Sequence, residues 1–329
     1  MFFMNSEKTQ NNDFALVADA LRNAKRVFAV THVNPDGDAL GSLCFFNLLL
    51  KKLRIDCQIF CVGPLPSSLE FLSGYKDIKT NLNDLDLNNI DCFVSLDCAT
   101  PQRTNVDHLF NQRSKGQLFI EIDHHQIIPS LADIILRIPE SASTTQILAQ
   151  LAETMNIELD RNMAQCLLTG IVTDTANFSH PNSTTKTMEA AAALIGQGAN
   201  LSRINNLTTR TKKIVDLKLW GIALSRLTRH PRFNLVWTVL TPEDLEESGA
   251  DNESLEGIAG FLNGLEADAV MVLYGFKDGT VRGSLRSSEP KINVAALASA
   301  LGGGGHRQAA GFTLQGRFIH ENGNWKLVI

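Results

Sequence analysis

The sequence has no C-x-x-C pair, no long apolar run and no cluster of basic residues. Its six cysteines lie mostly inside apolar segments, so we interpret them as reduced, buried side chains rather than as disulfides or zinc ligands. No segment approaches the ~18 consecutive apolar residues that a membrane-spanning helix needs. The first residues become polar too early for a secretory signal. These absences predict a cytoplasmic protein with no membrane partner.

Charge narrows the possible partners. Lys and Arg total 30 against 35 Asp and Glu, a formal net charge of −5, and no run of Lys or Arg exceeds two residues. A protein that tracks a long nucleic acid usually has a basic stripe. The sequence therefore argues against a binder of long polymers. It leaves open a short anionic substrate held by a few cationic side chains or by metal ions.

The length of 329 residues exceeds the size at which one hydrophobic core usually keeps growing, which favours two domains. Across residues 1–200, short apolar runs alternate with helical patterns, and this order predicts an α/β domain with a doubly wound, mostly parallel sheet. Residues 201–229 predict a near-continuous helical connector. Residues 230–329, with strands joined by short turns, predict a smaller α+β domain with a mixed sheet.

Periodicity predicts the individual elements. The strands of the first sheet are predicted at residues 26–32, 56–62, 90–96, 117–122 and 133–138. Helices are predicted at residues 39–53, 144–155, 162–173 and 185–196. Near the end of the chain, a helix at residues 294–301 precedes a run of four glycines and two further predicted strands.

Acidic residues and histidines collect in four short segments of the first domain. The segments are His32-x-x-x-Asp36-x-Asp38, Asp97, Asp123-His124-His125 and Asp174. Three of them follow predicted strands, and ligands bind outside the carboxyl ends of strands in doubly wound sheets. Each segment alone is also explained by local structure, with Asp36 as a turn residue and Asp38 as a helix N-cap. Together, four groups of like charge repel each other unless cations lie between them.

The residue types narrow the choice of cation. Carboxylates and imidazoles without thiolates suit Mn²⁺, with Mg²⁺ or Co²⁺ as weaker fits. The segments offer enough ligands for two ions. Two ions can clamp the attacking and leaving oxygens of a displacement at phosphorus.

The four segments resemble the motifs of the DHH phosphoesterase superfamily, with Thr173-Asp174-Thr175 as the fourth. The run Gly302-Gly-Gly-Gly-His306-Arg-Gln-Ala-Ala-Gly311 resembles the signature of the DHH-associated C-terminal domain. The motifs are in the family's order and span residues 26–315. Within the superfamily, the chain is most similar to the bacterial nanoRNases and 3′-phosphoadenosine 5′-phosphate phosphatases.

The resemblance implies a role for each motif residue. One Mn²⁺ would be held by His32, Asp36 and Asp97. The second would be held by Asp38, Asp97, His124 and Asp174, with Asp97 shared, and a water molecule between the ions would be the nucleophile.

Three further residues are expected beside the ions. Asp123 is expected to orient an imidazole or a backbone group. His125 is expected to contact the phosphate or to protonate the leaving oxygen, with a simple backbone hydrogen bond at the strand end as the alternative. Arg103 is expected to add a substrate contact, with a surface salt bridge as the alternative.

The second domain carries the predicted substrate clamp. Four glycines predict an anion-binding nest of backbone N–H groups, because a helix cap needs only one or two. Arg286 offers a planar fork for phosphate. The resemblance implies that the 5′ phosphate and base end of the substrate are bound by Arg286, Ser287, Gly304, Gly305 and His306. Catalysis is expected in a cleft between the domains that closes about the connector.

These observations predict a Mn²⁺-dependent phosphoesterase that cleaves short oligoribonucleotides to mononucleotides and dephosphorylates 3′-phosphoadenosine 5′-phosphate. The alternatives are a phosphodiesterase of linear or cyclic dinucleotides and, disfavoured by the nucleotide-type clamp, a pyrophosphatase or exopolyphosphatase. A long-strand exonuclease would need a basic surface and an added binding module. A silent nucleotide sensor would be expected to lack a metal ligand. A homodimer is possible, but the sequence leaves the oligomeric state open.

Overall fold

The computed structural model describes residues 2–126, 129–210, 213–255, 257–321 and 324–328. The chain divides into two compact units, Met1–Arg210 and Thr211–Ile329. Among the described residues, no helix combines the length and the apolar character that a bilayer crossing requires.

The first unit is built on a five-stranded sheet. Its strands are β1 (Arg26–Val30), β2 (Asp56–Phe60), β3 (Cys92–Leu96), β4 (Leu118–Asp123) and β5 (Ile134–Arg137). All neighbours pair in parallel, in the order β2-β1-β3-β4-β5. The order reverses between β1 and β3, so their carboxyl ends form the switch point where ligands bind in such folds. The predicted parallel α/β fold is confirmed.

Three helices of this unit precede or separate strands, and four follow β5. They are α1 (Phe2–Asn23), α2 (Gly37–Lys52), α3 (Asp107–Asn111), α4 (Thr144–Thr154), α5 (Arg161–Asp174), α6 (Thr185–Gly196) and α7 (Leu201–Asn205). The structure gives α6 the bounds that its periodicity predicts. The capping box formed by Thr184 and Thr187 explains where this helix begins.

The sheet is buried on both faces. Val27 and Ala29 contribute to one core, whereas Phe28, Phe93 and Phe119 belong to an aromatic cluster on the opposite face. Complete burial of one such aromatic side chain contributes about 1.5–3 kcal/mol. Because both faces are covered, the strands are near-continuous apolar runs and do not alternate with polar residues.

Helices α2 and α5 pack closely because glycines lie at their contact. A Cβ on Gly41 would lie 2.7 Å from the backbone oxygen of Cys166, and a Cβ on Gly170 would lie 2.3 Å from Oδ1 of Asp38. Neither position has room for a side chain. The close approach places the first turn of α2, which carries Asp38, beside the last turn of α5, which carries Asp174.

The second unit contains a six-stranded sheet and a two-stranded hairpin. The sheet strands are β6 (Thr228–Arg229), β7 (Leu235–Leu240), β8 (Ala269–Gly275), β9 (Thr280–Arg286), β10 (Gly304–His306) and β11 (Ala309–Gln315). The hairpin strands are β12 (Arg317–Glu321) and β13 (Asn324–Val328). The described helices are α8 (Ile214–Ser225), α9 (Pro242–Ser248), α10 (Ile258–Leu262) and α11 (Val294–Ala300).

The sheet of the second unit is mixed. Its order is β10-β11-β9-β8-β7-β6, with β7 and β8 parallel and the other pairs antiparallel. The consecutive residues Val272 and Leu273 lie in two different cores, one on each face. The predicted smaller α+β domain is confirmed.

Two elements differ from the prediction. Residues 201–229 are not one near-continuous helix, because a π-helical turn at residues 206–210 separates α7 from α8; residues 211 and 212 lie outside the described ranges. From the glycine run onward, the structure has four strands where the sequence predicts two after it. The first, β10, contains glycines of low strand propensity, and its pairing with β11 overrides that propensity.

Candidate active site

The turn between β1 and α2 holds three of the predicted ligands. Asp36 is the N-cap of α2, since its Oδ1 accepts hydrogen bonds from the amides of Asp38 and Ala39, both at 3.0 Å. The interpretation of Asp38 as the cap is therefore wrong, because Asp38 lies within the first helical turn. His32 donates from Nδ1 to the carbonyl of Val33 at 2.8 Å, which leaves Nε2 for a ligand.

Asp38 is fully buried and is held by the start of α4. Its Oδ2 accepts from the amide of Thr144 at 2.6 Å, and its Oδ1 accepts from the amide and hydroxyl of Thr145 at 2.9 and 2.7 Å. A helix N-terminus favours a carboxylate in this position. The sequence analysis missed both threonines, although the run Ser143-Thr144-Thr145 before an apolar helix is a recognisable signal.

Asp97 lies between the predicted metal ligands. It follows β3 with a left-handed φ of +59°, and its side chain is buried. Its Oδ2 lies 3.8 Å from Nε2 of His32, whereas its Oδ1 lies 3.5 Å from Nε2 of His124. The hydroxyl of Thr144 donates to Oδ1 at 3.1 Å. One carboxylate thus faces two separate groups.

His124 connects Asp97 to the helical ligands. Its Nε2 lies 3.2 Å from Oδ2 of Asp174 and 3.9 Å from Oδ2 of Asp38. Asp174 is the last residue of α5. The negative end of a helix dipole disfavours a carboxylate there, so this position increases the need for a nearby cation.

The structure brings the six predicted metal ligands into two groups, in each of which the potential ligand atoms lie within 4.8 Å of one another. The groups are His32, Asp36 and Asp97, and Asp38, His124 and Asp174. Oδ1 of Asp97 also lies 3.5 Å from Nε2 of His124, a member of the second group.

Electrostatics at the site favour a cation. Burial, and next the charge of Asp38, raises the pKa of Asp97 well above its usual range. Burial lowers the pKa of His32, which keeps this imidazole neutral. Burial also opposes protonation of His124, but the carboxylates of Asp174 and Asp38 outweigh it and raise the pKa. Carboxylates that resist ionisation for lack of counter-charge are those that a divalent cation stabilises.

The donor set fits a hard or borderline divalent ion. Both groups offer carboxylate oxygens and imidazole nitrogens, without a thiolate. Cys61, whose sulfur donates to the carbonyl of His32 at 3.3 Å, stays protonated because burial raises its pKa to about 12.

Asp123 and His125 form a hydrogen-bonded pair beside these groups. Oδ1 of Asp123 accepts from the amide and Nδ1 of His125 at 2.8 and 2.7 Å, and Oδ2 accepts from the amide of Ala99 at 2.6 Å. Burial acts to raise the pKa of Asp123, but the bonds from His125 outweigh it and the pKa is lowered. The carboxylate therefore holds the proton on Nδ1 of His125.

Arg103 lies in the loop that follows β3. Its carbonyl accepts from the amide of Val33 at 2.9 Å, and its guanidinium donates to the carbonyl of Cys98 at 3.4 Å. The side chain is exposed. Arg103 thus ties together the loops that carry His32 and Asp97.

In the second unit, Arg286 and Ser287 lie at the end of β9. Arg286 is partly buried, which lowers its pKa, and it donates to the carbonyl of Leu285 at 2.8 Å. The hydroxyl of Ser287 is buried and donates to the carbonyl of Asp268 at 2.5 Å. The hydroxyl proton of Ser287 therefore forms a hydrogen bond within the second unit.

The glycine run is divided between two tasks. The amides of Gly302 and Gly303 donate to the carbonyls of the last turn of α11, at 3.0 and 2.8 Å, as a helix cap does. Gly304, Gly305 and His306 form the exposed edge strand β10. The predicted nest is wrong, because pairing with β11 extends the backbone. The backbone N–H groups of residues 304–306 are therefore those of an edge strand.

Comparisons with known proteins agree with this architecture. The DHH family N-terminal domain matches residues 26–171, and the DHHA1 domain matches residues 234–322. The bifunctional oligoribonuclease and PAP phosphatase NrnA of Thermus thermophilus is 32% identical over 302 residues, which cover 92% of this chain and 88% of that protein. The chain belongs to the DHH family. It is accordingly a phosphoester-hydrolysing enzyme.

Two further proteins extend the comparison of this DHH-family chain. The protein of the same name from Bacillus subtilis is 28% identical over 288 residues, covering 86% of this chain and 87% of that one. The crystal structure of an exopolyphosphatase-related protein from Bacteroides fragilis has a TM-score of 0.85 at 24% identity, covering 93% of this chain and 92% of that one. The last likeness bears on the fold alone.

Proposed function

We propose that this DHH-family enzyme is a two-metal phosphoesterase that prefers Mn²⁺ and cleaves short oligoribonucleotides to mononucleotides. We propose 3′-phosphoadenosine 5′-phosphate as a second substrate. The observation that carries the proposal is the single carboxylate of Asp97, which faces His32 on one side and His124 on the other. The names of the two NrnA relatives support the choice of substrates.

The proposed ligands divide as the two groups do. His32, Asp36 and Asp97 would hold one ion, and Asp38, His124, Asp174 and the shared Asp97 would hold the other. Two bound cations would supply a more acidic water and stabilise negative charge at the phosphorus. The threonines of α4 hold Asp38 and Asp97 in place through their hydrogen bonds.

Residues beside the proposed metal ligands contact the phosphate and transfer a proton to the leaving oxygen. Nε2 of His125 contacts the phosphate or transfers a proton to the leaving oxygen, and Asp123 stabilises the protonated imidazole through Nδ1. Arg103, exposed next to the loop of His32, adds a contact to the phosphate.

Residues of the second unit bind the far end of the substrate. Arg286 supplies a charge-assisted contact to the terminal phosphate, and the edge strand that contains Gly304, Gly305 and His306 supplies backbone and imidazole contacts. Ser287 holds the end of β9 in position through its bond to Asp268. With a net charge of −5, the chain has no basic track for further nucleotides.

A rate panel tests the proposal. The purified enzyme is assayed with Mn²⁺, Mg²⁺ or Co²⁺ on a diribonucleotide, 3′-phosphoadenosine 5′-phosphate, linear and cyclic dinucleotides, pyrophosphate and RNA of increasing length. We expect the highest kcat/KM with Mn²⁺ on di- to tetranucleotides, and a decline towards RNA of ~20 nucleotides. A flat or rising length profile contradicts the proposal. Faster hydrolysis of cyclic dinucleotides or pyrophosphate would assign the site to one of those substrates instead.

A further inference from the structure

Arg137 is a buried cation that no predicted role uses. It is the last residue of β5, and its side chain is only 3% exposed. Its Nη1 donates to the carbonyl of Gln126 at 2.9 Å, and its Nη2 donates to the carbonyl of Ala99 at 3.0 Å. One guanidinium therefore bonds to two loops that follow different strands.

Both loops carry proposed metal ligands. Ala99 lies two residues after Asp97, and Gln126 lies two residues after His124. Asp97 and Ala99 both have left-handed backbone conformations, with φ of +59° and +57°. Such conformations persist when surrounding contacts hold them. The peptide groups of Ala99 are held on two sides, since its amide donates to Asp123 and its carbonyl accepts from Arg137.

The charge of Arg137 is compensated within the same sheet. Its guanidinium is ion-paired with Glu121, which is 1% exposed, and lies 3.8 Å from Oδ2 of Asp123. The other oxygen of Glu121 accepts from the hydroxyl of Ser130 at 2.6 Å. A lysine would keep the charge, but its single ammonium lacks the planar fork that reaches two carbonyls in fixed directions.

We propose that Arg137 is a positioning residue of the metal centre. Its guanidinium fixes the turn after Asp97 relative to the loop after His124, and so sets the separation of two ligands that must serve the same ion. The inference rests on the proposed two-metal function, and it assigns to the end of β5 a task that the four sequence motifs do not cover.

The test measures metal binding directly. Calorimetric titration of the metal-free R137K variant with Mn²⁺ is compared with that of the wild type. We expect Mn²⁺ affinity to fall about 10–100-fold, the usual effect of removing a group that orients a metal ligand. Raising the Mn²⁺ concentration should restore most of kcat, while the melting temperature changes little.

Two variants separate positioning from a general loss of a buried ion pair. E121Q removes the charge of the partner but leaves both carbonyl bonds of Arg137, so we expect its Mn²⁺ affinity to stay near that of the wild type. R226K weakens the Arg226–Asp244 pair of the second unit and should lower stability without changing Mn²⁺ affinity. If R137K does not fold, the double variant E121Q/R137Q removes the pair without leaving an unpaired charge, and the same loss of affinity is expected.

The outcomes distinguish the two proposals. A wild-type enzyme that binds no Mn²⁺, or a single ion, overturns the proposed two-metal function. If the wild type binds two ions and the R137K or the double variant binds Mn²⁺ with the same affinity, the proposed role of Arg137 is wrong, whereas the two-metal function stands. Loss of affinity in E121Q as large as in R137K would overturn it too, because the ion pair and not the loop contacts would then be responsible.

Discussion

Each unit buries an aspartate, and the two aspartates behave in opposite ways. Asp97 and Asp244 are 2% and 4% exposed. Burial acts to raise the pKa of Asp244, but hydrogen bonds from Arg226, at 2.5 and 2.7 Å, outweigh it and the pKa is lowered. Asp97 faces imidazoles and other carboxylates, and its pKa is raised. Burial acts to raise the pKa of both carboxylates, but only Asp244 has a guanidinium partner whose hydrogen bonds outweigh it.

The comparison gives a criterion for finding metal sites. A buried carboxylate alone indicates little, because a side-chain cation such as Arg226 can satisfy it completely. A group of buried carboxylates whose negative charge exceeds that of the nearby cationic side chains indicates an external cation. The first unit has such a group, and the pairing of Asp244 with Arg226 shows what the protein does where no metal is needed.

The largest effect is expected for the shared carboxylate. Asp97→Ala should lower kcat by at least about 10²–10³-fold, the loss known for one missing electrostatic contact at a transition state, because it removes a ligand of both ions. Steady-state assays with saturating Mn²⁺ and calorimetric Mn²⁺ titration measure the change. The matched variant Asp244→Asn should keep the kcat and the Mn²⁺ affinity of the wild type at 25 °C. Full activity in Asp97→Ala would refute the two-metal centre.

A smaller and substrate-dependent effect is expected in the second unit. Arg286→Ala should lower kcat/KM for a diribonucleotide about 10²-fold, since it removes a charge-assisted contact to the substrate. A small activated phosphodiester that lacks the terminal phosphate should be cleaved as by the wild type. Arg317→Ala, which removes the same charge from the exposed hairpin, serves as the control. Equal losses on both substrates would place Arg286 in the catalytic machinery.

The packing of α2 against α5 can be tested with one methyl group. In Gly170→Ala, the new Cβ would overlap Oγ1 of Thr145 and Oδ1 of Asp38. A displacement of about 1 Å at such a ligand lowers activity up to roughly 10²-fold. Gly196→Ala in α6, where a Cβ meets no atom within 4 Å, should leave activity unchanged and stabilise the protein by about 0.5–1 kcal/mol. Equal activity of the two variants would show that the contact tolerates a side chain.

The smallest effect concerns stability and its dependence on pH. Asp244→Asn should lower the free energy of unfolding at pH 7 by about 1.5–3 kcal/mol, the contribution of hydrogen bonds to a charged group. Because the folded-state pKa of Asp244 lies below its unfolded value, the native state binds fewer protons. The stabilisation is complete above the unfolded pKa of about 3.9 and is lost as the pH falls through the folded pKa. Denaturant unfolding at several pH values should therefore show the difference between wild type and variant shrinking in acid.

The fold was predictable where local signals and tertiary packing agree. The bounds of α6 match its pattern, because a capping box marks where the helix begins. The strand at residues 304–306 was not predictable, since glycines carry no strand preference and the pairing partner β11 lies several residues later. The break at residues 206–210 lacks a proline or glycine that would reveal it.

The site was predictable to the extent that it depends on residue type. Strand ends and motif order brought together His32, Asp97 and His124, whose placement follows from the parallel sheet. The run that contains Thr144 and Thr145 signals the start of a helix but not which carboxylates it holds. Arg137 could not be found in this way, because a side chain that supports a ligand has no characteristic spacing from it. The proposed roles of the site residues, the domain limits at residues 200 and 230, the homodimer and the cytoplasmic location remain predictions.

The edge strand β10 also affects how this protein behaves at high concentration. Exposed strand edges are templates on which other chains can add strands, and this leads to aggregation. β10 is only three residues long, and the left-handed backbone of Gly302, with φ of +76°, ends the extended segment just before it. An edge so short offers too few backbone groups to hold another chain. The exposed edge therefore carries little risk of strand addition by another chain.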